Sequence, residues 1–283
     1  FALGQPAIAM TDHGNMHGAI EFYEAAKKVG IKAILGCELY VSPTTRFDRK
    51  PRNQGGGGTH HITALAKSNE GYSNLCKLVS LAYSEGFYFK PRVDHELFRQ
   101  YNKDLIILSG CLAGELASFV ERDDIEGATE RVRLYRDIFG ESFYLEAQPH
   151  PIFEQRKLNQ ACYELSRDLG IPLVATTDCH YLQEEDHFAQ EVLMCISMGK
   201  QITDPDRIKH EGVKLHLKSY DEMKSEMGPE SWVEEALNNT AMIAEQCNLK
   251  FDFNKYYMPR YRFESGAELN DQEITKHLAL TAR

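Results

Sequence analysis

Six side chains in this sequence are of types that together hold divalent metal ions: His13, Glu38, His61, Cys111, Asp178 and His180. Imidazole, carboxylate and thiolate are all donors that zinc accepts, and mixed nitrogen and oxygen sets also suit manganese or iron. A carboxylate such as Glu38 can bridge two cations. Closely spaced cations activate a water and hold both sides of a phosphoester, so the chemistry implied is metal-assisted phosphoester hydrolysis. Thr11-Asp12-His13 alone carries little information. Asp178-Cys179-His180 carries more, because two donor types two residues apart after a strand point toward one centre. The full set, in this order and at the ends of different strands, is specific.

Neighbouring residues are weighed the same way. Asp12 could replace His13 as a ligand or orient it from behind, and the second role is favoured. His61 is preferred over His60 because the next residue begins a strand. An isolated histidine is more often a hydrogen-bonded turn residue, so His17, His95, His150, His187, His210, His216 and His277 are set aside. Unpaired cysteine is usually a small buried hydrophobe. That reading takes Cys37, Cys76, Cys162, Cys195 and Cys247, while Cys111 stands even between the two. Glu146 lies on a strand and could be buried opposite Arg or Lys, so it is left outside the core set. The Gly55 to Gly58 run lacks the Lys-Ser/Thr of a phosphate loop.

The elements that must place these residues alternate. Ala7 to Met10 reads as a buried strand that runs into Thr11-Asp12-His13. Ala19 to Val29 has helical spacing through Ile20, Tyr23, Ala26 and Lys27, with Gly30 as its stop. Strands follow at 31–41, 62–66, 104–109, 143–147 and 171–176, and helices at 70–84, 124–139 and 153–169. Residues 42–59, with Pro43, Pro51 and the glycine run, predict a mobile loop. This alternation predicts an α/β fold with a mostly parallel sheet. Polar residues gathered at several strand ends favour a closed or nearly closed barrel. Beyond residue 185 the pattern turns helical, at 188–198 and 230–248. Residues 251–263 resemble a linker or docking arm, and 271–283 another helix.

Bulk properties narrow the class. The chain has 283 residues, 42% hydrophobic and 26% charged, an ordinary globular composition. No apolar run reaches membrane-spanning length, and no membrane partner is expected. The N-terminus lacks both a signal peptide and a starting Met, so the chain is expected to begin mid-protein. Seven scattered cysteines without a CxxC pair argue against disulfides or a zinc finger and for a reducing cytoplasm. A net charge of −10 argues against a main DNA-gripping surface and suits cation-binding carboxylates.

Five segments carry a resemblance: Ala7-Ile-Ala-Met-Thr-Asp-His-Gly-Asn-Met16, Ile34-Leu-Gly-Cys-Glu-Leu-Tyr-Val41, His61-Ile-Thr-Ala-Leu-Ala-Lys-Ser-Asn-Glu-Gly-Tyr72, Ser109-Gly-Cys-Leu-Ala-Gly-Glu115 and Val174-Ala-Thr-Thr-Asp-Cys-His-Tyr181. They resemble successive motifs of the PHP (polymerase and histidinol phosphatase) domain, in the form carried by the alpha subunit of bacterial DNA polymerase III. Gly199-Lys200, Asp204-Pro-Asp-Arg207, the segment Asn238 to Asn248 and Phe251 to Pro259 extend the likeness over essentially the whole chain.

The resemblance implies a distorted (β/α)7 barrel of the PHP type, its first strand missing, followed by a mostly helical extension. Residues 1–249 would be the barrel with that extension, and 250–283 a linker and the start of the polymerase palm region. The family site holds up to three metals (Zn, Mn or Fe). His13, Glu38, His61, Cys111, Asp178 and His180 match its ligand positions. A His-x-His pair and an Asp, expected upstream of Phe1, complete the family set, so this chain alone is expected to bind metal weakly and to be inactive.

The resemblance further implies a parent that performs template-directed DNA synthesis from dNTPs in the bacterial cytoplasm, with Mg in a palm domain outside this chain. PHP domains with intact ligands act as 3′–5′ exonucleases. Others are inert scaffolds or dock a proofreading subunit, and further replisome subunits are implied partners. Two other readings stay open: a stand-alone phosphoesterase of the histidinol-phosphatase kind, which the region beyond residue 199 disfavours, and an amidohydrolase-type barrel, whose ligand pattern is not evident.

Overall fold

A computed structural model describes residues 3–50, 58–209, 212–255 and 270–281. In chain order the elements are β1 (Ala7–Met10), α1 (Ala19–Lys28), β2 (Lys32–Val41), β3 (His60–Ala66), α2 (Asn69–Ser84), β4 (Arg92–Val93) and α3 (His95–Gln100). Next come β5 (Leu105–Leu108), α4 (Glu115–Glu121), α5 (Ile125–Phe139), β6 (Phe143–Ala147), α6 (Phe153–Leu169) and β7 (Leu173–Ala175). Three helices follow: α7 (His187–Met198), α8 (Tyr220–Met227) and α9 (Val233–Gln246). Residues 1–249 form one compact unit. Residues 250–283 form a second, whose described part carries α10 (Asp271–Thr281).

The fold is α/β, a curled mixed sheet of the distorted barrel type with a mostly helical extension. The sheet runs β1-β2-β3-β5-β6-β7, with β4 joining β2 off this path. Four of its six ladders are parallel, as the alternation predicts, and one strand departs from the rest. Strand β3 runs antiparallel to both β2 and β5, while the other ladders are parallel. A period-two pattern reports which face a residue takes but not which way the strand runs. The reversal matters for the site. It brings the first residues of β3 to the same rim as the last residues of its neighbours.

Strand parity sorts the side chains onto two faces. Residues such as Leu39, Val41, Ile62, Ala64, Ile107, Phe143, Leu145 and Leu173 join the helices in the larger core. Ile34, Leu65, Ile106, Leu108, Tyr144 and Val174 form a second, smaller cluster on the other face. Helix α9 completes that cluster with Ile243 and Cys247. The helical extension is therefore part of the barrel's own packing. Asn239 of α9 also donates to the Leu173 carbonyl, at 2.7 Å.

Some expectations are corrected. Strand β1 is an edge strand with only Met10 buried, because β2 is its sole ladder partner among the described residues. Helix α1 buries Ala19 and Ala26 and leaves Ile20 exposed. The first part of the predicted mobile loop is pinned: Arg46 is buried and bonded to Glu85, Asp94 and Glu96. Residues 51–57 of that loop, with most of the glycine run, lie outside the described residues, as do His210 and residues 256–263 of the expected arm. The short β4 and α3 fall where no element was expected. Asp94 starts α3 by accepting from Leu97 N at 3.1 Å. No described helix is long and apolar enough to cross a membrane.

Candidate metal centre

The rim is built from the turn after β1, the middle of β2, the start of β3 and the turns after β5 and β7. Beyond β1 the chain hugs β2, and Glu38 N donates to the Asp12 carbonyl at 3.0 Å. Gly14 then turns away with φ +68°, where an added Cβ would sit 2.9 Å from both Pro91 and Tyr40. Only a residue without a side chain fits that position. The turn leaves His13 alongside Glu38.

His13 Nδ1 lies 3.2 Å from Glu38 Oε1. His61 Nδ1 contacts the same oxygen. One donor atom from each of His13, Glu38 and His61 falls within 4.8 Å of the other two. The remaining expected residues approach the same place. Cys111 Sγ is 4.0 Å from His61 Nδ1. The His180 ring centroid is 5.8 Å from that of His13. This last contact brings together the two ends of the sheet, since His13 follows β1 and His180 follows β7.

The Asp178 turn is shaped for its position. Asp178 takes a left-handed φ of +50°, which few residues without Asp's short polar side chain adopt. His180 Nδ1 lies 2.6 Å from the Asp178 main-chain carbonyl. A carbonyl only accepts, so Nδ1 carries the proton and Nε2 keeps the lone pair that a cation needs. The turn is braced by the extension. His180 N donates to the Leu215 carbonyl at 2.8 Å, Leu217 N to the Tyr181 carbonyl at 3.1 Å, and Leu215 N to the Tyr181 hydroxyl at 3.0 Å. The same strap reaches the lead-in of β1, where Gln5 Nε2 donates to the Lys218 carbonyl at 2.9 Å.

Electrostatics at the rim favour a cation. Burial alone would raise the Glu38 carboxyl, but hydrogen bonds and charge from His13 and His61 hold it down at about 2. The His13 imidazole is raised, chiefly by its bond to Glu38. Burial raises Asp178 and Cys111, and the nearby Glu38 carboxylate pushes both further. Burial pushes Glu146 up to about 7, with Asp178 and Glu38 adding to the effect. Carboxylates and a thiol that raise one another's proton affinity are relieved by a divalent cation. With imidazoles among them, the donor set fits Zn, Mn or Fe.

The stability of the chelator-treated chain follows from these shifts. Glu38 is depressed, so its contribution is full above its ordinary value near 4.5 and is lost as pH falls toward about 2. His13 is raised, so its contribution is full below 6.5 and is lost as pH rises through its higher folded value. Glu146 is raised as well, so its burial costs stability as pH climbs from its ordinary value near 4.5 through about 7. The thermal midpoint is therefore expected to be highest near the ordinary carboxylate values and to fall on both sides. Glu38→Gln should flatten the acid limb, and an unchanged acid limb in that variant would refute this account.

Three neighbours differ from expectation. Asp12 does not orient His13. Its side chain is exposed, its carbonyl does the bonding, and Glu38 holds the imidazole instead. In extended chain successive side chains face opposite ways, so Asp12 and His13 cannot share one partner. Glu146 is buried, but among the described residues it forms no ion pair with Arg or Lys. It accepts from Thr176, Gln148 and the Gly110 main chain. Tyr40, not singled out in the sequence, walls the rim with its ring centroid 5.2 Å from that of His61. Its signal was parity, since it lies two residues from Glu38 on the same face of β2. Parity also separates His60, whose surroundings include Glu115, from His61.

Comparison with known proteins places this geometry. The PHP domain model matches residues 1–150, spanning His13, Glu38, His61 and Cys111 and ending before Asp178 and His180. The DNA polymerase III subunit alpha of Thermus aquaticus is 42% identical over 264 residues, covering 92% of this chain and 22% of that protein. That of Deinococcus radiodurans is 40% identical over 272 residues, covering 94% and 20%. That of Treponema pallidum is 43% identical over 262 residues, covering 92% and 22%. The chain thus spans about a fifth of the length of these relatives. A solved structure from Bifidobacterium adolescentis covers 81% of this chain and 88% of its own at 12% identity, with a TM-score of 0.37, too remote to argue from. With residues 1–150 of 283 matched by the family model, the chain belongs to the PHP domain family.

Proposed function

We propose that this chain is the PHP region of the alpha subunit of a bacterial DNA polymerase III, with a cation-dependent 3′–5′ exonuclease site at its rim. The observation that carries the reading is the convergence of His13, Glu38 and His61 donors within 4.8 Å. It is joined by similarity to alpha subunits over more than nine-tenths of the chain.

In this reading His13, Glu38, His61, Cys111, Asp178 and His180 hold divalent cations, up to three in the full-length parent. Bound there, such cations supply an activated water and positive charge for the phosphoryl oxygens. The chain's own residues prepare the place. Glu38 gathers two imidazoles on one oxygen. The Asp178 carbonyl fixes the His180 tautomer. Tyr40 closes one wall. The net charge of −10 leaves the grip on the DNA duplex to other parts of the parent.

Template-directed DNA synthesis from dNTPs with Mg, contact with the rest of the polymerase chain, a proofreading subunit and other replisome subunits, and a cytoplasmic location are proposed for that parent. Residues 250–283 are proposed to lead into its palm region. The chain by itself is expected to bind cations weakly and to lack nuclease activity.

The test uses the full-length polymerase, with Asp178 and His180 both replaced by alanine. Loss of 3′–5′ exonuclease activity with polymerisation retained is expected. A second reading, an inert scaffold or subunit-docking surface, is favoured by one feature: the extension is packed into the sheet's smaller core cluster through Ile243 and Cys247. Unchanged exonuclease with a lowered thermal midpoint would establish that reading instead. Turnover of a small phosphomonoester, but not of DNA ends, would point to a histidinol-phosphatase-like enzyme.

A further inference from the structure

We propose that Glu146 is a positioning residue for the metal centre: its buried carboxylate holds the Cys111 turn and the Asp178 turn in register. The proposal rests on the cation-binding reading above. Glu146 lies on β6 with 4% of its surface exposed. Its Oε2 accepts from Gly110 N at 3.0 Å. Its Oε1 accepts from the Thr176 hydroxyl at 2.5 Å and from Gln148 Nε2 at 3.1 Å. One carboxylate therefore ties the turn after β5 to the end of β7.

Each tie reaches a candidate ligand within a residue or two. Gly110 precedes Cys111, and it is pressed so closely behind His61 that an added Cβ would sit 2.4 Å from the His61 carbonyl. Thr176 lies two residues before Asp178, where the chain takes its left-handed turn. Glu146 N also donates to Ser109 Oγ at 2.9 Å, which pins the same turn from the strand side. Behind it, Gln148 is held from both directions by Asn159 of α6, at 2.8 Å and 3.2 Å. Among the described residues no Lys or Arg forms an ion pair with Glu146. Purely structural packing would be served better by an apolar residue at this place, since burying a carboxyl group is costly even when it is hydrogen-bonded. What only an acceptor-rich group provides is three donors drawn to one point from three separate strand ends.

Glu146→Gln keeps the shape but turns one acceptor oxygen into a donor facing another donor. The experiment uses the full-length protein, chelator-treated and titrated with Co²⁺, reading both affinity and the thiolate-to-cobalt absorption contributed by Cys111. Glu146→Gln is expected to lower Co²⁺ affinity about 10–100-fold, the usual effect of losing a partner behind a ligand. The thiolate band should weaken or shift in the folded variant, a change that a loss of stability alone would not produce. Glu146→Asp, which keeps the carboxyl group, should recover part of the affinity. Thr176→Val, which removes one tie, should give a smaller change of the same kind, and it decides the matter if Glu146→Gln does not fold. An unchanged isotherm and spectrum in the variants that fold would overturn the proposal. Absence of Co²⁺ binding by the unaltered protein would instead overturn the cation-binding reading.

Discussion

Replacing Glu38 by alanine is expected to abolish tight metal binding at the rim. Both His13 Nδ1 and His61 Nδ1 meet Glu38 Oε1, so the carboxylate is the point at which the two imidazoles are gathered. Removing it takes away a donor and also releases both rings. Losing a partner that only supports a ligand typically lowers affinity about 10–100-fold, so losing a shared ligand should exceed about 100-fold. Calorimetric titration of the full-length protein with Mn²⁺ or Zn²⁺ measures this directly. Glu38→Gln should fall nearly as far, because the amide keeps one acceptor but brings no charge and places donors against donors. Binding should also release protons, since a cation replaces those shared between carboxylate and imidazoles. Repeating the titration in buffers of different ionisation enthalpy reveals them. A Glu38→Ala variant with affinity within a few-fold of the parent would remove Glu38 from the centre.

The largest stability loss is expected at Arg46, away from the rim. Its guanidinium is buried and bonded to Glu85 at 2.6 Å, Glu96 at 2.9 Å and Asp94 at 3.1 Å. Glu85 and Glu96 are open to water and contribute little. Asp94 is different, with a side chain only 1% exposed. It also accepts from Arg46 N at 2.9 Å and caps α3. Arg46→Ala leaves that carboxylate buried without its cation, a loss that costs about 3–5 kcal/mol. The thermal midpoint should drop by on the order of 10 °C. Arg46→Lys, with a single point charge in place of a fork, should fall between. If Arg46→Ala unfolds within about 1 kcal/mol of the parent, the buried pair is not holding this loop.

Much of this arrangement was legible in the residues. Apolar runs marked six of the seven described strands and most of the helices between them. Donor residues near the strand ends marked the rim, and His13, Glu38, His61, Cys111 and His180 do approach one another. What escaped was whatever depends on distant partners. The direction of β3 is invisible in a pattern that reads the same both ways. Glu146 looked like half of an ion pair, because nothing local tells a carboxylate that its donors will be a hydroxyl, an amide and a main-chain N–H. Arg46 sat in a stretch rich in Pro, Gly and charge, where composition predicted mobility and three acidic residues brought order. Helix α9 showed an amphipathic pattern, but the pattern could not say that its apolar residues would join the core clusters of a sheet made long before it in the chain.

The strap formed by Leu215 to Lys218 has a consequence in time. His180 N donates to the Leu215 carbonyl, and Gln5 Nε2 donates to that of Lys218, a partner 213 residues away. During synthesis the chain emerges N-terminus first. The turns bearing His13, Glu38, His61 and Cys111 are therefore available well before the segment that steadies His180 exists. Contacts of such long sequence separation form slowly, because the intervening chain must be ordered first. The rim should thus mature in two stages on the ribosome, with nascent chains stalled short of Leu215 holding cations loosely and those extended past α9 holding them firmly.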